Sequence, residues 1–332
     1  MNLSSISAEN RTYYKGFDVL KFGLAILIVA AHTRLFEEFP IFHYYFGIFC
    51  SCAIPTFFAV SSFLFMKRLS LANNKADAKR VLLKTVKRLL CIFGIWYLIM
   101  LPMSYARFWE TATLKESIYA LLFSCSFNGY WFFKALIINT IILYFSRKDK
   151  ALACLSIFSL LVYLFWAYNY HYHYIKWSIS PYYSFYYHVF PFCLGALYAK
   201  KQWMLKFSVP VLITLFIACV ILASIKELNP VGRILYPVIL LPLFSRLRFE
   251  YIATETCRKF RQWSILFYVM QFVLIWMYDI AVSNYLTDYD ALRFFDFSIV
   301  RFGLVTMLLF IFSRIFLYFE ETKNISYLKY IH

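Results

Sequence analysis

Glycine and proline are scarce in this chain, 8 and 9 among 332 residues, and charged residues make up only 15%. The few glycines form no Gly-rich phosphate loop. So little Gly and Pro also leaves small means for the paired broken helices from which transporters build binding sites. Cysteine occurs eight times, but only Cys50 and Cys52 are near neighbours. Neither a disulfide framework nor a thiolate metal site is expected, and the thiols read as buried and free. No low-complexity tract, internal repeat or long hydrophilic stretch is present, which excludes a separate soluble domain.

What fills the chain instead is apolar. Hydrophobic residues reach 62%, aromatic residues 22%, and mean hydropathy is +0.64, far outside the range of soluble globular domains. Ten apolar runs near membrane length can be marked: 17–36, 41–66, 89–106, 130–146, 151–168, 183–199, 207–225, 233–249, 264–282 and 298–319. The expectation is an all-α, polytopic bundle of about ten transmembrane helices, a single membrane-embedded domain over 1–332. The run 114–123 is too short to cross and reads as a re-entrant or interfacial piece. Lys15 followed by an apolar run ending in Ala30 and Ala31 resembles a signal peptide, but nine further runs argue for a retained first span.

Basic residues outnumber acidic ones 34 to 17, for a formal net charge of +17. With both termini in the cytoplasm, most Lys and Arg fall in cytoplasmic segments while acidic residues divide almost evenly, the expected sign of the positive-inside rule. Residues 67–88 alone hold Lys67, Arg68, Lys75, Lys79, Arg80, Lys84, Lys87 and Arg88. Spread over loops rather than gathered on one soluble face, this charge argues against a nucleic-acid partner. It suits anionic membrane lipid, and the loop 67–88 also suits a phosphorylated cytosolic ligand. The location implied is the cell membrane, crossed many times.

The first run, FDVLKFGLAILIVAAHTRLF, places Asp18, Lys21 and His32 in an apolar helix. At 100° per residue Lys21 and His32 project from one face, about 20° apart in azimuth and roughly 16 Å apart along the axis. Asp18 shares that face. Asp or Lys at the centre of a membrane helix costs about 2.5 to 3.5 kcal/mol, so such groups face a protein interior or a wet cavity. This face is therefore a candidate active-site wall. His32, near the external end, titrates close enough to neutrality to act as a general base at a hydroxyl; its plainer reading is a packing histidine. Lys21, near the cytoplasmic end, either snorkels or binds an anion, and Asp18, three residues earlier, offers it a partner.

Ser61 and Ser62 lie near the cytoplasmic end of the second run, where serines serve as small residues for close helix packing. In NGYWFFKALIIN, Trp131 reads as an external interface anchor, and Lys134 either snorkels outward or faces the His32 cavity. Asp279 and Arg301, near the external ends of the last two runs, are expected to pair. His188 is a second-rank cavity candidate for which packing is the plainer role, and His43 reads as interfacial. His171 and His173 alternate on a loop without an acidic or thiol neighbour, so no metal site is expected.

These residues resemble the acyltransferase 3 family of bacterial membrane enzymes. FDVLKFGLAILIVAAHT is similar to the family's opening pattern of Asp, a basic residue, an apolar run and His; Lys21 stands where Arg is frequent. IPTFFAVSSFLFMKR resembles its second signature, with Pro55, Phe57, Phe58 and Ser61 matching and Ser62 where Gly is usual. KRLLCIFGIWYLI places Arg88 at a basic position, YWFFKALI resembles a Trp-Phe start, FPFCLGALYAK matches at Gly195, and ILFYVMQ has Gln271 where His is usual. The resemblance implies an O-acyltransferase moving an acyl group, commonly acetyl, from acetyl-CoA or another acyl-CoA as co-substrate, with no bound cofactor. The acceptor would be a hydroxyl of an envelope glycan or lipid-linked sugar. It further implies CoA phosphates near Lys21, Arg88, Lys84 and Lys87, His32 as base, Asp18 orienting Lys21, and Ser61, Trp131, Lys134, His188 and Gln271 around the cavity. The alternatives are a transporter or flippase of lipid-linked saccharides, or an inactive acyltransferase-like assembly partner.

Overall fold

The computed structural model describes residues 14–105, 110–122, 130–172, 181–201, 207–247, 249–282, 294–295 and 297–323. Its thirteen α-helices are α1 Lys15–His32, α2 Pro40–Cys50, α3 Ala53–Ser70, α4 Lys75–Ile99, α5 Leu101–Ser104, α6 Leu114–Leu122, α7 Trp131–Phe145, α8 Asp149–Tyr172, α9 Val189–Lys201, α10 Val209–Ser224, α11 Asn229–Arg246, α12 Thr254–Ala281 and α13 Ser298–Lys323. Two short 3-10 turns, Pro181–Tyr183 and Phe185–His188, lead into α9. Each of the ten apolar runs falls on one or two of these helices. Among the described residues, four stretches are long and apolar enough to cross a membrane: Pro40–Ser70, Asp149–Asn169, Thr254–Ala281 and Ser298–Thr322.

Several helix ends depart from the apolar runs for local reasons. The run 17–36 stops being helical at His32. There the Arg34 N–H bonds Ala31 O (3.2 Å) and the Leu35 N–H bonds Ala30 O (3.0 Å), a Schellman closure in which Arg34 takes the left-handed position, φ 55°, usually left to Gly. The run 41–66 is divided at Ser51 and Cys52 because Pro55, in the first turn of α3, has no N–H to continue the ladder. The basic stretch 67–88 is largely helical rather than a loop. Asn74 caps α4 by accepting the Asp77 N–H at 2.8 Å, and Lys, Ala, Arg and Leu carry the helix onward. The short run 114–123 becomes α6, opened by a reciprocal Thr113 and Glu116 capping box. Helix α12 begins ten residues before its apolar run, which brings Arg261 onto the helix.

The interior is built around α1, α3, α9 and α12. Helix α1 packs along α12 with both running the same way, since Asp18 meets Arg261 at one end and His32 meets Phe272 towards the other. Helix α3 lies parallel to α9, with Phe58 against His188 and Phe63 against Tyr198. Helix α13 runs opposite to α1: its first residue, Ser298, bonds Glu38 just beyond α1, and Phe310 reaches back to Phe22. Apolar side chains of α8 and α13, such as Ile157, Phe158, Met307 and Ile315, are exposed, as expected for faces turned to lipid.

The closest approach is between α3 and α9. A Cβ on Gly195 would collide with the Ala59 carbonyl and Ser62 Oγ, while Ser62, fully buried, donates to Ala59 O at 2.9 Å. Ser62 therefore serves as a small packing residue. Gly195→Ala should destabilise the protein by about 1 to 3 kcal/mol, read as earlier loss of monodispersity on heating in detergent. Ser62→Gly should not rescue it, because the Ala59 carbonyl remains. Gly23→Ala, with nothing near its Cβ position, should be tolerated.

Candidate active site

At the N-terminal end of the α1 and α12 pair, Asp18 is buried and both of its oxygens accept from Arg261, Nε and Nη2 each at 3.0 Å. The sequence alone offered Lys21 as partner for Asp18; the fold adds an arginine 243 residues away. Lys21, one turn along α1 and half-buried, lies within electrostatic reach of Asp18, Arg68, Arg88 and Arg261. Arg68 comes from the end of α3 and Arg88 from the middle of α4, and Arg88 also feels Arg68 and Arg261. Four helices thus bring four cations around one carboxylate. Such an excess of partly enclosed positive charge is suited to phosphate, with guanidinium forks able to bind it bidentately. The α1 end is further tied down by Lys15 Nζ donating to Ile252 O at 2.8 Å.

At the other end, about 16 Å further along α12, the His32 ring rests edge-on against Phe272, centroids 4.7 Å apart. His32 is exposed, and among the described residues no hydrogen-bond partner occupies either ring nitrogen. The loop beyond it is fixed from three sides. Thr33 Oγ1 donates to Val29 O and Ala30 O, His43 Nδ1 donates to Leu35 O at 2.9 Å, and Glu38 accepts from the N–H and hydroxyl of Ser298 at the start of α13. Arg34 and Phe36 both have positive φ in this loop, each at a cost of about 1 to 2 kcal/mol for a residue other than Gly. Those ties hold the strained turn, and the turn ends α1 at the histidine.

An aromatic layer extends from His32 into the bundle. Tyr130 stands 6.4 Å from Phe272 by ring centroid and donates to Val269 O at 3.1 Å. Trp131, expected at the interface, is instead buried and stacked on His188 at 4.8 Å; Phe58 also lies nearly parallel to that imidazole at 4.7 Å. His188 Nε2 donates to Tyr182 O at 2.8 Å, so this histidine is buried among aromatic rings and engaged at one nitrogen. Gln271 is fully buried, its Nε2 donating to Tyr268 O at 3.0 Å. Its Oε1 has no partner among the described residues.

The other sequence candidates are more dispersed. Ser61 is half-buried on α3 without a hydrogen bond among the described residues, and Lys134 is half-buried on the first turn of α7. Lys84 and Lys87 are exposed on α4 and line an outward groove. Arg301 donates to Asp279, as the sequence led us to expect. His171 and His173 lie outside the residues whose side chains are described. Cys50, Cys52, Cys91, Cys154, Cys193, Cys219 and Cys257 are free thiols.

Arg261, Arg68 and their convergence on Lys21 escaped the sequence reading. The signal that finds them is a basic residue within one turn of an apolar run, on either side, which helix extension draws into the bundle. A double-mutant cycle with Asp18→Asn and Arg261→Gln tests the pair. Each single variant should be less stable than wild type, and the double variant should lose less than the sum by about 1 kcal/mol or more, measured by thermal unfolding in detergent. Comparison with curated proteins and with solved structures finds no match. A family model described as an acyltransferase domain, acyltransferase 3, matches residues 14–319, spanning both ends of the site, and the chain belongs to that family of membrane acyltransferases.

Proposed function

We propose that the protein transfers an acyl group, acetyl in the first instance, from cytoplasmic acyl-CoA to a hydroxyl of a cell-envelope glycan. The observation that carries this reading is the two-ended arrangement of α1 and α12: a cluster of cations at one end and an open imidazole at the other. The helix directions support a chain that crosses the membrane ten times with both termini in the cytoplasm. Parallel α1 and α12, parallel α3 and α9, and antiparallel α1 and α13 all agree with that alternation. The cation cluster then faces the cytoplasm and His32 the external side.

Lys21 and Arg88, joined by Arg68 and Arg261, would hold the CoA phosphates through charge-assisted hydrogen bonds. Asp18 keeps Arg261 in place and limits mutual repulsion within the cluster. The pantetheine arm, an extended chain, would reach along the roughly 16 Å towards His32. There His32 takes the proton from the acceptor hydroxyl as its oxygen attacks the thioester carbonyl. The C–S bond breaks, the acyl group passes to the acceptor oxygen, and the CoA thiolate leaves, recovering the proton from the imidazolium. Trp131, His188 and Gln271 belong to the layer beside this point, where Gln271 Oε1 retains a free acceptor position for a donor group of a bound substrate.

Membrane vesicles supplied with labelled acetyl-CoA and envelope glycan test the assignment. His32→Ala should lower kcat by about 10²- to 10⁴-fold, the span general-base catalysis contributes, with little change in the KM for acetyl-CoA. Undiminished transfer by that variant would remove the base. Lys21→Ala should act in the opposite way, raising the KM for acetyl-CoA more than it lowers kcat. Passage of glycan across the membrane without acylation would replace the transferase reading with transport.

A further inference from the structure

Helix α4 has a second charged face that the cation cluster does not use. Lys79, Arg80, Lys84 and Lys87, with Ala76 and Leu83, line an open groove along its outer side. The inner side of the helix is buried through Ala78, Leu82, Ile92 and Trp96. Arg80 is paired with Asp77 at 3.4 Å, an exposed contact of small energetic weight, so the groove keeps a net positive charge.

Two features separate this groove from the CoA cluster. Arg88, not the groove cations, is the α4 group within electrostatic reach of Lys21, and on a helical wheel it projects roughly 100° from the groove's centre. The groove is also amphipathic: Leu83 is exposed among the cations, and Leu90, two turns on, continues the same outward stripe into the apolar half of α4. Exposed leucines in line with cations suit a ligand that carries apolar chains next to its phosphate. A phospholipid has both parts, an anionic headgroup and acyl chains, at this spacing along a helix that enters a bilayer.

We infer that the outer face of α4 is a binding site for an anionic phospholipid of the cytoplasmic leaflet, its phosphate held by Lys79, Arg80, Lys84 and Lys87 around Leu83 and its chains lying beyond them on Leu90. The inference rests on α4 crossing the membrane from the cytoplasm and not on the transferase chemistry, so either reading can fail alone.

The test uses the full chain in detergent micelles with spin-labelled phosphatidylglycerol and phosphatidylcholine of matched acyl chains. Wild type should immobilise the phosphatidylglycerol preferentially, the preference should fall with added salt, and free CoA in excess should leave it unchanged. Replacing the four cations by Gln should reduce the preference by roughly fivefold for each charge removed, whereas Lys79→Arg, Lys84→Arg and Lys87→Arg together should retain it. The site is overturned by equal immobilisation of the two lipids, by a preference that salt does not weaken, or by its survival in the Gln variant. Displacement of the label by CoA would assign the groove to the nucleotide.

Discussion

A carboxylate buried inside a helical bundle is tolerable only with partners that satisfy both its charge and its hydrogen bonds, and Arg261 meets both oxygens of Asp18. The fork geometry fixes two atoms of one helix against two of another. It therefore sets the register and relative direction of α1 and α12, not only their proximity. With that register set, His32 arrives opposite Phe272 and Lys21 arrives among the cations of α3, α4 and α12. Both ends of the site depend on one ion pair.

The rest of the bundle supplies rigidity by sterics. Lipid offers no hydrophobic drive for helices to associate, so close fit has to hold them. The chain uses its few glycines accordingly: Gly195 lets α9 press on the backbone of α3, and Gly16 lets α1 meet the carbonyl of Phe244 on α11. Aromatic rings fill the wider gaps. The cluster of Phe58, His188 and Trp131 joins α3 to α7 and to the turn before α9, and its imidazole is buried where that of His32 is open. The same residue type thus has two roles within one layer, set by what covers the ring.

Much of the fold was legible because a membrane helix writes itself as an apolar run, and the shared face of Asp18, Lys21 and His32 follows from helical periodicity alone. The failures have physical causes. Arg261 stands before the apolar run of α12 and reads as a loop cation, because hydropathy marks where lipid begins and not where the helix does. Arg68 was counted only as charge of a loop whose two halves are helical extensions of α3 and α4. The end of α1 at His32 was hidden because its closing turn uses Arg34 in a position where Gly is the usual signal. Trp131 reads as an interface anchor by residue type, but burial is decided by neighbours from α3 and the turn before α9, which no local pattern reveals.

Separating the two ends also resolves an electrostatic conflict. A general base beside four cations would have its proton affinity depressed by their field, whereas a phosphate site without them would bind weakly. Helix α1 keeps Lys21 and His32 roughly 16 Å apart, beyond the Debye length of about 8 Å at physiological ionic strength, although a dry protein interior screens less than salt water does. Distance along one rigid helix therefore keeps the cluster of cations at one end of the bundle apart from the open imidazole at the other.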